Sequence, residues 1–316
     1  MILVHGSNLE QKEQHKTKYQ DKESRVYLAE IRKEYDKWCQ ANAKLIGPTS
    51  ESTEKDLEFV VQRVQLFEDY KNFLDQQKYA EKFDSRSNLH SSALEEFLYY
   101  LFRDLVADFG ERALVGKSHT FKDIFFLPPH YRAMVQRPYA NVEKKDHDFV
   151  IGVTIEASMN TSGVDSEKKD DEDEQYSIKE IIGSYETRIE GQSEKHFFDL
   201  PAVVIECKTY LDKTMLEGSS RAAEELKARN PNGIYIVAME WLKLTEHINL
   251  RKYKVDQIYV FRKQKNTDRE FRFDVDYNKY PIDPNVVFHL FGMVRDHLTT
   301  DWEGGIRYGL ERGWLI

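Results

Sequence analysis

A chain of 316 residues, 40% hydrophobic and 13% aromatic, can fill the core of one large domain or two moderate ones. Two cysteines, Cys39 and Cys207, exclude a disulfide framework, and no apolar stretch approaches a membrane span. The net charge of −9 gives nucleic-acid binding no support as a total, but residues 167–174, EKKDDEDE, hold −4 of it, so a basic cleft elsewhere is not excluded.

The opening MILVHGSNLEQKEQHK lacks the order of a signal peptide, and the expectation is a soluble, cytoplasmic protein with no membrane partner. Residues 10–45 carry Tyr19, Val26, Tyr27, Ile31, Tyr35 and Trp38 at roughly helical spacing. IGPTSEST (46–53) breaks that pattern and offers Ser50, Ser52 and Thr53 as helix caps. Residues 54–83 resume it through Leu57, Val60, Val61, Val64, Leu66, Phe67, Tyr70 and Phe73. A polar turn at 84–92 precedes a helix over about 93–109, whose apolar face is Leu94, Phe97, Leu98, Leu101 and Leu105. Glu95 lies about one step from that face and Glu96 nearly opposite it.

Pro128 and Pro129 end the FFL run, and HDFVIGVTIEA (147–157) reads as a strand with Asp148 at its start. Residues 158–178 are polar and acidic and read as a mobile loop, and 179–196 as helical. PAVVIECKTY (201–210) is a central strand, followed by a helix from about Ser219, the terminator NPNG (230–233) and the strand IYIVAMEW (234–241). Strand, helix and strand at that spacing form a crossover unit with parallel strands. QIYVFRK (257–263) and REFRFDV (269–275) are further strand candidates, residues 284–300 a helix, and Gly304 and Gly305 turn residues in the tail.

The chemistry concentrates at the end of the central strand. Side chains alternate along a strand, so Glu206 and Lys208 share a face and Cys207 takes the other. Asp148 and Glu206 offer two carboxylates to a hard divalent cation, and the Cys207 backbone carbonyl offers a third oxygen. Lys208 beside them can orient or deprotonate a water, or stabilise the charge of a phosphate in reaction. Asp146 competes with Asp148 for the first carboxylate. The ten histidines form no zinc-spaced cluster, and neither a phosphate-binding glycine loop nor a G-x-S-x-G elbow is present.

SALEEF (92–97), KDHDFVIG (145–152) and VVIECKTYLDKTMLEG (203–218), in that order, resemble the PD-(D/E)xK nuclease superfamily and, more narrowly, type II restriction endonucleases. The wording of IECKTYLDKTMLEG is similar to the family that includes a two-subunit enzyme cutting an asymmetric seven-base site. The resemblance implies a restriction-endonuclease-like α/β fold, a mixed central sheet flanked by helices, spanning about residues 90–245. It implies Asp148, Glu206 and Lys208 as the catalytic set, with Glu95, or Glu96 as fallback, from the helix. His147 stands where the pattern has proline.

It also implies Mg2+, with Mn2+ as a substitute, cleavage of double-stranded DNA to 5′-phosphate and 3′-hydroxyl ends, and a homodimer or a heterodimer with a related subunit. Residues 1–89 then form a helical N-terminal region and 90–316 the nuclease core with a C-terminal elaboration. Candidate DNA contacts are Lys144, Lys145, Lys213, Arg221, Arg262 and Lys263, with Arg132, Arg137, Lys252, Lys254 and Lys265 as further basic residues. The rival readings are a repair, transposition or structure-selective nuclease, and a non-catalytic DNA-binding protein of the same fold.

Overall fold

The computed structural model describes residues 3–83, 89–136, 140–160, 193–302 and 305–313. The chain divides into two units: Met1–Ser118 with Asp146–Val153 and Pro201–Ile316, and His119–Lys145 with Thr154–Leu200.

In the first unit, α1 (Val4–Glu13), α2 (Lys22–Lys44), α3 (Asp56–Leu74), α4 (Gln77–Lys82) and α5 (Leu89–Ala107) come before the sheet. Helix α2 starts where the Asp21 carboxylate accepts the Ser24 N–H at 2.9 Å, a cap generally worth about 1 kcal/mol. It buries Ser24, Leu28, Ile31, Tyr35, Trp38 and Asn42, a stripe of three- and four-residue steps. Its last carbonyls, Asn42 and Leu45, accept hydrogen bonds from Arg103, and Leu45 also from the fully buried Arg63. Gly6 lets α1 approach α2 closely, because a Cβ there would lie 2.4 Å from the Tyr35 hydroxyl.

Strands β1 (Ala113–Phe126), β2 (Ala140–Asn160), β3 (Ser193–Leu211), β4 (Ile234–Leu242) and β5 (Gln257–Val260) form one mixed sheet in the order β1-β2-β3-β4-β5, with an added β1–β3 pairing. β3, β4 and β5 are parallel neighbours, with Glu206 opposite Val237 and Lys208 opposite Met239. Helix α7 (Lys213–Arg229) makes the β3–β4 crossover. β4 is buried from Tyr235 to Trp241, as a parallel strand covered on both faces should be. Phe149, Val203, Ile205, Cys207, Ile236 and Ala238 join α1–α3, α5 and α8 (Pro284–Thr299) in one apolar cluster. Val150, Val204, Tyr235, Val237 and Met239 join α7 in the other.

The second unit holds the outer parts of β1, β2 and β3 and the short helix α6 (Tyr131–Gln136). Thr120 and Asp199 are parallel partners, Thr154 Oγ1 donates to Asp199 Oδ1 at 2.7 Å, and Phe121 packs on Phe198 with ring centres 4.9 Å apart.

Several expectations need correction. β1 has no counterpart in the sequence reading. α5 begins at Leu89, inside the expected polar turn. α7 begins at Lys213 rather than near Ser219, because Asp212 accepts the Met215 N–H at 2.9 Å and caps it there. Residues 269–275 are not a strand: Asn266–Phe271 is a 3-10 turn, and the alternating Phe271 and Val275 stay exposed with no sheet face over them. Lys55, not Ser50, Ser52 or Thr53, is the N-cap of α3, and Ser50 instead donates to Asp108 beyond α5. The tail contains a helix, α9 (Gly305–Arg312), in place of a turn at Gly305. Of the acidic loop expected at 158–178, residues 161–178 lie outside the described residues; 158–160 end β2. Of the helix expected at 179–196, residues 179–192 lie outside them too, and 193–196 open β3. Arg137 and Gly304 also fall outside.

Candidate active site

Asp148 enters on β2, and Glu206 and Lys208 on β3. Phe149 and Cys207 belong to the α5-side cluster and Val150 and Val204 to the α7-side cluster. Alternation therefore turns Asp148, Glu206 and Lys208 toward the same face. Lys208 Nζ lies 2.7 Å from Glu206 Oε1 and 3.3 Å from Asp148 Oδ2. Asp148 Oδ2 also accepts the Cys207 N–H at 2.9 Å. The N–H and C=O of one extended residue leave the strand on the same flank, so the Cys207 carbonyl faces the Asp148 side as well. Asp146 is exposed two residues earlier; the contacts to Cys207 and Lys208 are made by Asp148.

The two glutamates of α5 part company. The apolar stripe put Glu95 first and Glu96 second, and the helix is buried on nearly every side. Glu96 is fully buried and accepts the His5 and Gly6 N–H groups at 3.0 and 3.3 Å, filling the open N-terminus of α1. Glu95 lines a cleft of about 400 Å³ with Lys117, Asp148, Lys208, Thr209 and Tyr210.

Burial, then the neighbouring Asp148 charge, pushes the Glu95 carboxyl up to about 8. Burial also raises Asp148, with Glu206 adding to it and Lys208 opposing. Burial works to raise Glu206 as well, but the Lys208 charge and hydrogen bond and the Tyr235 hydrogen bond bring it below the ordinary value. Burial works to lower Lys208, and the Asp148 and Glu206 charges overcome it and raise its pKa, so this lysine is a firmly held ammonium.

Two partners escaped the sequence reading. Tyr235 donates to Glu206 Oε2 at 2.8 Å, with the His147 ring edge-on at 6.0 Å. Its only signal is a phenol inside the otherwise aliphatic IYIV run. Lys117 sits on β1, which was not anticipated at all.

The oxygen donors are of the kind that hard divalent cations take. Among the described residues no three His, Cys, Asp or Glu side chains are arranged to hold a metal by themselves. Magnesium does not require that: it commonly takes one or two carboxylates and completes its shell with water and substrate phosphate. Two carboxylates, a carbonyl on their flank and the Glu95 carboxyl, raised mainly by burial, offer oxygen donors beside the Lys208 ammonium.

The expected DNA contacts are scattered. Lys213 and Arg221 are exposed on α7, beside Glu217 at 3.7 Å and Glu225 at 3.6 Å. Lys144 donates to the Phe197 carbonyl at 2.7 Å within the second unit, where Lys145 also lies. Lys263 is exposed and paired with Asp283. Arg262 is a correction: it is 1% exposed, its guanidinium 3.1 Å from Glu240 and 2.9 Å from Glu68, so the basic run around it hides a core residue.

The family model described as the Bpu10I restriction endonuclease matches residues 86–178 and 157–314. The chain is similar in fold to a solved structure titled as the native BbvCI A2B2 tetramer at low resolution, with a TM-score of 0.60 and 18% identity, covering 94% of this chain and 96% of that one. It is also 42% identical over 59 residues to a 3-hydroxyanthranilate 3,4-dioxygenase of Shewanella woodyi, a stretch that spans 17% of this chain and only 30% of that protein.

Proposed function

The chain belongs to the Bpu10I restriction endonuclease family, and on that premise we propose that it is a type II restriction endonuclease, hydrolysing double-stranded DNA at a specific sequence with Mg2+ and leaving 5′-phosphate and 3′-hydroxyl ends. The observation that carries this reading is the Lys208 ammonium held between Asp148 and Glu206 at the floor of an open cleft. Asp148, Glu206 and the Cys207 carbonyl would hold the cation. When bound, Mg2+ polarises the scissile phosphate and makes an attacking water more acidic.

The chain's own groups account for the rest. Lys208, with its raised pKa, donates hydrogen bonds and positive charge, so it orients the water and steadies the charge that builds on the phosphate. Glu95, raised to about 8 by burial and Asp148, is mostly neutral near pH 7 and adds little further negative charge to the site. Tyr235 fixes one Glu206 oxygen while Lys208 holds the other, so the carboxylate is oriented from both sides. Duplex DNA has two strands to cut, and the BbvCI structure is titled as a tetramer of two kinds of chain. The proposed partner is therefore a second subunit, a copy or a related chain.

The test is incubation with unmethylated phage DNA and Mg2+, beside a Ca2+ control and Lys208→Ala. Discrete fragments from the wild type in Mg2+ alone are expected, with the variant binding the DNA but leaving it whole. Equal cleavage by Lys208→Ala would remove its assigned role.

A further inference from the structure

We propose that Lys117 is a second substrate-binding residue of the cleft, a cation that takes a backbone phosphate oxygen of the bound DNA. This rests on the nuclease reading above and adds to it a contact that neither the motif nor the family match assigns.

The argument begins with charge. Lys208 sits between Asp148 and Glu206, so its charge is largely balanced at the reacting centre and adds little to the hold on the rest of the DNA backbone. Lys117 lines the same cleft, is exposed, and forms no ion pair or hydrogen bond among the described residues. Its charge is felt by Glu95, which places the ammonium within electrostatic reach of the acids that surround the reacting centre.

The backbone around Lys117 supports the same role. Gly116 has a φ of +129°, a conformation that side chains with a Cβ rarely adopt, and a Cβ built on it would meet nothing within 4 Å. Space is therefore not what suits glycine to this position; the turn of the chain is. Beyond this kink Ser118 and Thr120 are buried, while Lys117 faces the open cleft. A lysine held this way gives a mobile point charge with three donors, which suits a phosphate on a flexible backbone. Neutral Asn8 and Ser91 on the cleft wall leave that charge uncontested on their side.

The experiment compares wild type, Lys117→Ala and Lys117→Arg for binding to a duplex that the wild type cuts, in Ca2+, over a range of salt. Single-turnover cleavage in Mg2+ and circular dichroism accompany it. One phosphate contact contributes about 0.9 to the slope of log affinity against log salt. Lys117→Ala should be folded, bind several-fold more weakly at moderate salt, and lose about that much slope. Lys117→Arg should keep the slope. Identical slopes and affinities in wild type and Lys117→Ala would overturn the proposal. So would slower cleavage with an unchanged slope, which would mean that Lys117 acts on Glu95 and not on DNA. A wild type that neither binds nor cuts any duplex would remove the nuclease reading itself, and this inference with it.

Discussion

The sheet carries two clusters of charge close together, and they have opposite characters. On the α5 side, Glu240 of β4 meets Lys71 of α3 at 2.8 Å and Arg262 at 3.1 Å. Glu68, Asp75, His90 and Lys279 extend the cluster, with Lys279 2.6 Å from Asp75 and His90 3.3 Å from it. Three cations face three carboxylates, and Lys71, Glu240 and Arg262 are sealed from solvent. On the other face, Asp148 and Glu206 set two carboxylates against the one cation Lys208, where Asp148 and Lys208 line an open cleft. Lys208 and Met239 are register partners, so Glu240 is only one residue along from the strand position opposite Lys208. A balanced, closed set holds the fold together. An unbalanced, open one has charge and lone pairs left over for a ligand.

This comparison breaks most visibly at Glu240. Glu240→Ala leaves Lys71 and Arg262 buried without their shared counter-charge, and stability should fall by about 3–5 kcal/mol in a urea titration. A loss under about 1 kcal/mol would mean that the closed cluster does not matter to the fold. On the open side the same kind of deletion should act on rate. Lys208→Ala should lower single-turnover cleavage on the order of 10²–10³-fold, while its urea midpoint stays close to wild type.

A pH series sharpens the contrast. His90, by burial and the Lys71 charge, and His5, by burial and the same lysine, both titrate below the ordinary histidine value. Between that lowered value and about 6.5 the unfolded chain binds protons that the folded one refuses. The two histidines' contribution to stability should therefore be flat above about pH 7 and fall as pH drops below about 6.5, by up to about 1.4 kcal/mol per pH unit for each, against the opposite slope that the raised Glu95 carboxyl gives. An NMR titration in which either ring protonates at about 6.5 or above would contradict its buried, neutral state. The mildest expected effect is at Tyr235→Phe. Losing the donor to Glu206 Oε2 should raise the Mg2+ concentration for half-maximal cleavage about tenfold, with the fold unchanged because the ring still fills its place.

The sequence made one side of this contrast legible and hid the other. Period-two alternation in PAVVIECKTY put Glu206 and Lys208 on one face, and the apolar run after Asp148 marked its strand. These are local signals, and local patterns can be read without a fold. The stripe of α5 already favoured Glu95 over Glu96, but what Glu96 does was hidden, because it answers to the open N-terminus of a helix far away in the chain. Arg262 looked like one of several surface cations in a basic stretch, while its counter-charges come from residues 22 and 194 positions away. Lys117 was out of reach for a related reason. Its strand has an uneven burial pattern, and it becomes part of the cleft only through long-range pairing.

The first helix has a practical consequence. Its N-terminal N–H groups are the partners of a buried carboxylate, and one turn later its Asn8 forms part of the cleft wall, next in the chain to a residue packed in the core. A purification tag or fluorescent protein fused just ahead of Val4 therefore pulls directly on the helix that caps a buried carboxylate and lines the cleft. Such a fusion, or trimming by a contaminating protease, would yield a preparation that looks inactive for reasons unrelated to its catalytic residues.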